Sequence, residues 1–316
     1  MTREEKLLFH LKRDGIGIDI GASHSPIAPK RNGFNVHVID HATREQLVEK
    51  YKDDGVNLDN IEEVDFVWRG EEYSELTGKT GFYDWIIASH VIEHVPDFIG
   101  FLKSCEKILN DDGVLSLAVP DVRFCFDHFR PITSLSRMID AHWREQKLHS
   151  PGSIAEFYRN FVLKDDMPGW GEFYYVPENF TFSFSKQEVL DRMRQSMENK
   201  EYVDCHAWCF TPHSFRLMIH DLFELGFIEL NEVAFFDAEG CEFHIALRKN
   251  GAGSDLTRIE MLNRINEEML KDLEPAVLLN AGWSRLKTKI RSRYGSFRAK
   301  SVDRLRSIKN QLTRFR

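Results

Sequence analysis

Residues 83 to 121 read "YDWIIASHVIEHVPDFIGFLKSCEKILNDDGVLSLAVPD". The apolar run Trp85–Ala88 has the length and continuity of a buried strand. The stretch from Asp97 to Leu109 carries apolar residues at helical spacing. "NDDG" at 110 to 113 is a turn signal, and Val114–Val119 is a second apolar run. Strand, helix, turn and strand in this order make a crossover unit, whose strands lie parallel and are buried on both faces.

Further strand-like runs precede it at Ile16–Ile20, Val36–Ile39 and Val64–Trp68. Thr43 to Tyr51 has helical spacing. The link between the first two strands has room only for a stunted helix, with Pro26 in its first turn. After residue 205 the order changes. "TPHSFRLMIHDLFELGF" is an amphipathic helix opening at Thr211-Pro212, and "FIELNEVAFF" and "CEFHIALRK" are joined by "DAEG" as a hairpin. The expected fold is α/β: a mostly parallel seven-stranded sheet ending in an antiparallel hairpin, with helices on both faces.

Composition sets outer bounds. The chain has 316 residues, 42% hydrophobic and 29% charged, ordinary values for a globular protein. No apolar stretch reaches membrane-spanning length, and the start, "MTREEKLLFHLKRDG", lacks the pattern of a secretory signal and reads as a short amphipathic helix. Five cysteines at irregular spacing fit buried thiols in a reducing compartment, so a cytoplasmic location is expected. The net charge of −8 is unevenly spread. From Arg285 to Arg316 twelve Lys and Arg face one acid, Asp303, leaving the rest of the chain at about −19. That sign disfavours nucleic acid as a partner of the main body. The basic tail, with Leu305, Ile308, Leu312 and Phe315 at helical spacing, suits reversible contact with an anionic membrane face. The segment from Leu256 to Leu273 has coiled-coil-like spacing, which fits a homo-oligomer or an assembly partner.

The expected organisation is a cofactor-binding core over 1–130, an aromatic-rich substrate insertion over 131–204, a helix and hairpin completing the core over 205–250, and a helical segment with basic tail over 255–316. Residues 142 to 184 hold eleven aromatics, expected mostly as a satellite core, with one or two stacking on a substrate.

The first strand runs into "GIDIGASHSP", residues 17 to 26. A dinucleotide fingerprint would add two more glycines, because a pyrophosphate needs close backbone approach. Here Ser23 and Ser25 stand in their place. Asp40 ends the second strand, nineteen residues past Gly21. It can accept bonds from both ribose hydroxyls of an adenosine cofactor, or cap the helix that follows.

The segment 83–121 resembles strand four, helix and strand five of class I S-adenosylmethionine-dependent methyltransferases, where "VIEHV", a helix, a "DGG"-like turn and an apolar strand recur. The resemblance covers residues 15 to 121 well and "HAWCFTPHSF" with the closing hairpin moderately. It implies a Rossmann-like fold with S-adenosylmethionine as cofactor. Asp19, Gly21 and Ser23 would lie beside its methionine part, Asp40 on the ribose, and Ser89 and His90 along its flank, with Asp65 and Trp68 as candidates near the adenine. The cofactor has no pyrophosphate, so a loop with one glycine and two serines is usable. "FDHFRPIT" and "CHAWCFTPHSF" are similar to methyltransferases associated with bacterial surface-polysaccharide assembly. This implies O-methylation of a sugar hydroxyl on a glycan acceptor, near the inner face of the membrane if the tail attaches there.

A hydroxyl acceptor must lose a proton, and a histidine of near-neutral pKa suits that role. His90, His94, His128 and His206 are candidates; His94 and His128 are placed first, with Glu93 orienting. Some O-methyltransferases hold a divalent ion through E-x-x-E-H. His90 replaces the first Glu here, so no metal is expected. Other readings stay open: a metal-dependent O-methyltransferase of another small molecule or an RNA end, a zinc hydrolase using His90, Glu93 and His94 on one helical face, and a non-catalytic adaptor.

Overall fold

The computed structural model describes residues 1–165, 167–168 and 180–271. The basic tail from Arg285 to Arg316, the last turn of the expected coiled-coil segment, and Trp170, Phe173, Tyr174 and Tyr175 lie outside the described residues.

Nine helices and ten strands are described. A short helix, α1 (Arg3–Leu7), is closed at its N-terminus by a reciprocal Thr2–Glu5 capping box. The strands β1 (Ile16–Ile20), β2 (Asn35–Asp40), β3 (Phe66–Val67), β4 (Tyr83–Ser89) and β5 (Leu109–Pro120) are joined by links that include α2 (Arg44–Tyr51), α3 (Tyr73–Thr77) and α4 (Phe98–Ile108). Then come α5 (Leu135–Trp143), α6 (Pro151–Asn160), β6 (Val162–Lys164), β7 (Met167–Pro168), β8 (Phe180–Phe182) and α7 (Lys186–Glu198). The last elements are α8 (Pro212–Glu224), β9 (Leu230–Glu239), β10 (Glu242–Lys249) and α9 (Arg258–Lys271).

The main sheet has the order β3-β2-β1-β4-β5-β10-β9. The five strands from β3 to β5 pair in parallel, and β10 runs antiparallel to both β5 and β9. This is the Rossmann-like sheet with its closing hairpin. Between β1 and β4 the direction of strand progression reverses, and open α/β sheets bind ligands in the crevice beyond the strand ends at such a point.

Helix α4 shows how the sequence builds this frame. Pro96 cannot continue a helix backwards, and the Asp97 side chain accepts from the Gly100 N–H at 2.9 Å to start one. The helix buries Phe98, Ile99, Leu102, Cys105 and Ile108 against the sheet. Phe98 packs there on Trp208, Phe210 and Phe215. On this face the core also takes Met138 of α5, Leu222 of α8 and Met261 and Ile265 of α9. The opposite face has a smaller cluster of Leu7, Ile27, Val36, Trp85 and Ile87. The Trp85 ring crosses β1 at Gly17, where a Cβ would sit 2.0 Å from it.

Several sequence expectations need correction. No α-helix forms between β1 and β2; the link holds one 3-10 turn, Lys30–Asn32, and Pro26 lies outside it. The third strand shrinks to Phe66–Val67. "NDDG" does not end a helix before a new strand but bulges within β5: Tyr83 pairs with Leu109 and Trp85 with Val114. The final hairpin turns at Gly240-Cys241, so Asp237 to Glu239 belong to β9.

The described part of 131–204 contains α5–α7 and a three-stranded sheet of order β7-β6-β8. Phe126, Phe157, Tyr158, Val189, Val203 and Cys205 form its own small core. The described residues through Met269 form one compact unit. All five cysteines are free thiols. Among the described residues no helix is long and apolar enough to cross a membrane.

Candidate active site

A cavity of about 890 Å³ opens beyond the C-terminal ends of β1 and β4, within the size range of small-molecule sites. At one end it is lined by Asp19, Gly21, Ser23, His24 and Ser25, and at the other by Glu93, His94, Phe126 and His206. Arg3, Ser89, His90 and Glu242 border it between them.

The first end is mostly backbone. Gly21 leaves β1 with φ +67°, and a Cβ on it would meet Val91 Cγ2 at 2.7 Å. Ser23 also has positive φ, +47°, which is unusual for a residue with a side chain. Its N–H donates to Asp40 Oδ2 at 3.2 Å. Its hydroxyl is buried and has no partner among the described residues. A buried hydroxyl beside a cavity, left without a bond, is a place for a ligand's polar atom. Asp19 accepts from the N–H groups of Ile27 at 3.1 Å and Ala28 at 3.5 Å. Burial nevertheless pushes its carboxyl up to about 7, those two bonds opposing and the charges of Glu62 and Asp40 adding.

Asp40 does not reach the cavity wall. It is buried, with one oxygen on Ser23 and the other 2.7 Å from the His41 N–H and 2.6 Å from His41 Nδ1. It braces the Gly21–Ser25 loop. Asp65 accepts from Val38 N–H and Lys30, and the Trp68 ring N–H donates to the Glu71 carbonyl; neither lines the cavity.

Along the flank, Ser89 Oγ accepts from Arg3 at 2.6 Å. His90, with φ +54°, turns the chain sharply off β4, and its Nε2 lies 2.5 Å from Glu242 Oε2. Burial would raise the Glu242 carboxyl, but bonds from His244, His90 and Arg3 outweigh it and hold the group well below the usual range.

The other end is side chains from distant segments. Ile92–His94 forms a single 3-10 turn, so the helical face required by a zinc-hydrolase reading of His90, Glu93 and His94 does not exist. The strip 202–208 is laced along this turn instead. The Ala207 N–H donates to the Glu93 carbonyl at 2.7 Å, Trp208 Nε1 to the Val95 carbonyl at 2.6 Å, and the Tyr202 hydroxyl to the His94 carbonyl at 3.1 Å. The lacing brings the His206 ring to 4.6 Å from that of His94, edge to face.

Each of these imidazoles has a carboxylate behind it. Asp204 Oδ1 is 2.8 Å from His94 Nδ1, and Asp127 is hydrogen-bonded to His206 Nδ1. Burial lowers the His94 pKa, but the Asp204 bond and the Glu93 and Asp204 charges outweigh it and the net shift is upward. Burial raises Asp127, yet the charges of His206 and Arg130 bring it down to about 2. Glu93 is fully buried, and both its carboxylate oxygens lack a hydrogen bond among the described residues.

His128 is not brought to the cavity. Its Nδ1 is 2.8 Å from the Arg123 carbonyl, its ring stacks on Phe180, and burial lowers its pKa. Of the four candidate histidines, His90, His94 and His206 line the cavity and His128 does not. The sequence reading overlooked Arg3, Asp127, Asp204 and Glu242. Of these, Asp127 had a signal, its place beside His128 in "FCFDHFRP".

A family described as "Methyltransferase domain" matches residues 3–219, more than half of the chain. No curated protein matches. Among solved structures, the chain is similar to a protein from Pyrococcus horikoshii OT3, with 14% identity, 78% of this chain and 87% of that chain covered, and a TM-score of 0.38. It is also similar to a SAM-dependent methyltransferase from Aquifex aeolicus, with 12% identity, 78% and 89% covered, and a TM-score of 0.35. A third is a possible histamine N-methyltransferase from Thermotoga maritima, with 17% identity, 78% and 87% covered, and a TM-score of 0.32. By the family match over residues 3–219, this chain belongs to the methyltransferase domain family and is an S-adenosylmethionine-dependent methyltransferase.

Proposed function

We propose that the protein transfers a methyl group to a sugar hydroxyl in the assembly of a surface glycan. The observation that carries this reading is the two-ended cavity: a cofactor loop with an unused buried hydroxyl at one end, imidazoles and a carboxylate at the other.

Gly21 and Ser23 hold the cofactor's amino-acid part through backbone and hydroxyl, with Asp19 as the nearby acid. Ser89 and His90 border its flank, and Asp40 acts by bracing the loop. S-adenosylmethionine supplies an electrophilic methyl group on a sulfonium centre. The chain's own work is to present an oxygen nucleophile in line and to ease the loss of its proton. Glu93, His94 and His206 form the polar cluster where the hydroxyl binds, and Asp204 and Asp127 fix the two rings so that each Nδ1 is engaged and each Nε2 is left for the acceptor side.

Two things favour a sugar. Phe126 lines the cavity, 4.9 Å from the His206 ring, and an aromatic beside a polar cluster matches the apolar and hydroxylated faces of a pyranose. The two stretches that resemble polysaccharide-associated methyltransferases, around 126–133 and 205–215, also meet at this end through the Asp127–His206 bond.

The test is turnover with methyl-labelled S-adenosylmethionine on a panel of nucleotide sugars, lipid-linked glycans and non-sugar phenols and amines. The reading expects label on a sugar oxygen. Label only on non-sugar acceptors would refute the substrate while leaving the activity intact.

A further inference from the structure

We infer that Glu93, His94 and His206 form a binding site for one divalent first-row transition ion at the acceptor end of the cavity. Among the described residues these three offer one donor atom each, all within 4.8 Å of one another. Glu93 Oε1 and His94 Nε2 are 4.0 Å apart. A tetrahedral ion about 2.1 Å from each ligand sets those atoms about 3.4 Å from one another, so the cluster must close by up to about 1.4 Å around the ion.

Three independent features point to an ion. The first is the carboxylate itself. Glu93 is completely buried, neither of its oxygens has a hydrogen-bond partner among the described residues, and the rings of His90 at 3.6 Å and His94 at 4.0 Å lie beside it. A buried, unbonded carboxylate is strongly unfavourable unless something positive reaches it.

The second is the support behind the rings. Metal-binding histidines characteristically give their other ring N–H to a carboxylate, which fixes the tautomer and aims the lone pair. Both rings have that support, Asp204 behind His94 and Asp127 behind His206. Arg130 pairs with the other oxygen of Asp127 at 2.8 Å and holds it in place behind His206.

The third is placement. All three residues line the cavity, so positions opposite the protein ligands stay open for an acceptor oxygen. Two imidazoles and one carboxylate suit zinc, cobalt, manganese or iron(II). Magnesium and calcium prefer all-oxygen sites.

The inference deepens the proposed acceptor site. It gives the imidazole lone pairs to an ion, which then activates the bound hydroxyl. It also departs from the expectation of no metal, which rested on His90 standing where E-x-x-E-H has its first Glu; His206 joins from 112 residues further along the chain than His94.

The experiment is titration of chelator-treated full-length protein with Co²⁺ and Zn²⁺, without cofactor or acceptor. Stoichiometry is read by calorimetry and coordination by the visible absorption of Co²⁺. One ion per chain is expected, and Mg²⁺ should not displace it. Glu93→Gln, nearly isosteric and relieved of the buried charge, should bind roughly 100-fold more weakly or worse. His94→Ala, at a partly exposed position, should do the same. Asp127→Asn should weaken binding about 10- to 100-fold, with circular dichroism confirming that each variant is folded. Absence of transition-ion binding, binding that both Glu93→Gln and His94→Ala leave unchanged, or displacement by Mg²⁺ at equal concentration would each overturn the site. Since no methyl transfer is measured, that failure would leave the proposed reaction standing, and a failed acceptor screen would leave the ion site standing.

Discussion

The two ends of the cavity are built by different means. The cofactor end is local: one strand end, one turn, and a brace from the neighbouring strand, all within residues 19 to 40. Its specificity lies in backbone conformation, the positive φ of Gly21 and Ser23. The acceptor end is non-local, with Glu93 and His94 after β4, Asp127 after β5, Asp204 at the end of the 131–204 segment and His206 just beyond it. Its chemistry lies in side chains whose meeting depends on the whole fold. A local end can be read from neighbouring letters; a non-local end shows itself only once the chain is folded.

If the ends are functionally distinct, variants should separate them. The largest effect is expected at the acceptor end. His94→Ala or His206→Ala should lower kcat by about 10²- to 10⁴-fold, while affinity for S-adenosylhomocysteine stays within about threefold. An equal loss of both would mean that the ends are not separable.

Gly21→Val should do the reverse. The Cβ meets Val91 and the φ is unfavourable for a branched residue, so product affinity in calorimetry should drop at least tenfold. Strain of this kind is on the order of 1–3 kcal/mol.

Asp19 offers a pH test confined to the cofactor end. Its folded-state pKa, about 7, lies above its unfolded value near 3.8. The protonated, buried carboxyl is therefore favourable below pH 4, and that contribution is lost as pH rises through 7. The loss approaches roughly 1.4 kcal/mol per pH unit across this window. Cofactor-free Asp19→Asn should thus gain stability over the wild type between pH 5 and pH 8 in urea melts. A constant difference across that range would refute the buried-acid assignment.

The smallest effect is expected for Ser23→Gly. Glycine relieves the positive φ but deletes the unpartnered hydroxyl. The cofactor-free protein should gain about 0.5–1 kcal/mol, while product binding weakens by about 0.5–1.5 kcal/mol. Tighter binding would show that the hydroxyl has no ligand.

The parallel strands, α4, α8 and the hairpin were legible because burial on both faces, a Pro96-Asp97 start and a Thr211-Pro212 cap leave marks in neighbouring residues. The crossover after β1 was misread because Pro26 is compatible with a helix start, yet Asp19 draws Ile27 and Ala28 toward the strand end. Gly21 and Ser23 were readable as a loop, but the withdrawal of Asp40 from the cavity was not, since it depends on Ser23 turning its N–H inward. Glu93 and His94 were singled out by their phrase. Nothing near them announced Asp204 or chose His206 over His128. That choice follows from the Ala207 and Trp208 bonds to the Glu93 and Val95 carbonyls, contacts more than a hundred residues apart.

The most direct test of a two-ended methyltransferase site is calorimetric titration of S-adenosylhomocysteine into wild type, Gly21→Val and His206→Ala, each verified as folded. The account predicts one molecule bound per wild-type chain, binding weakened at least tenfold in Gly21→Val, and binding retained within about threefold in His206→Ala. A wild type that binds none, or a Gly21→Val protein that binds as tightly as the wild type, would contradict it.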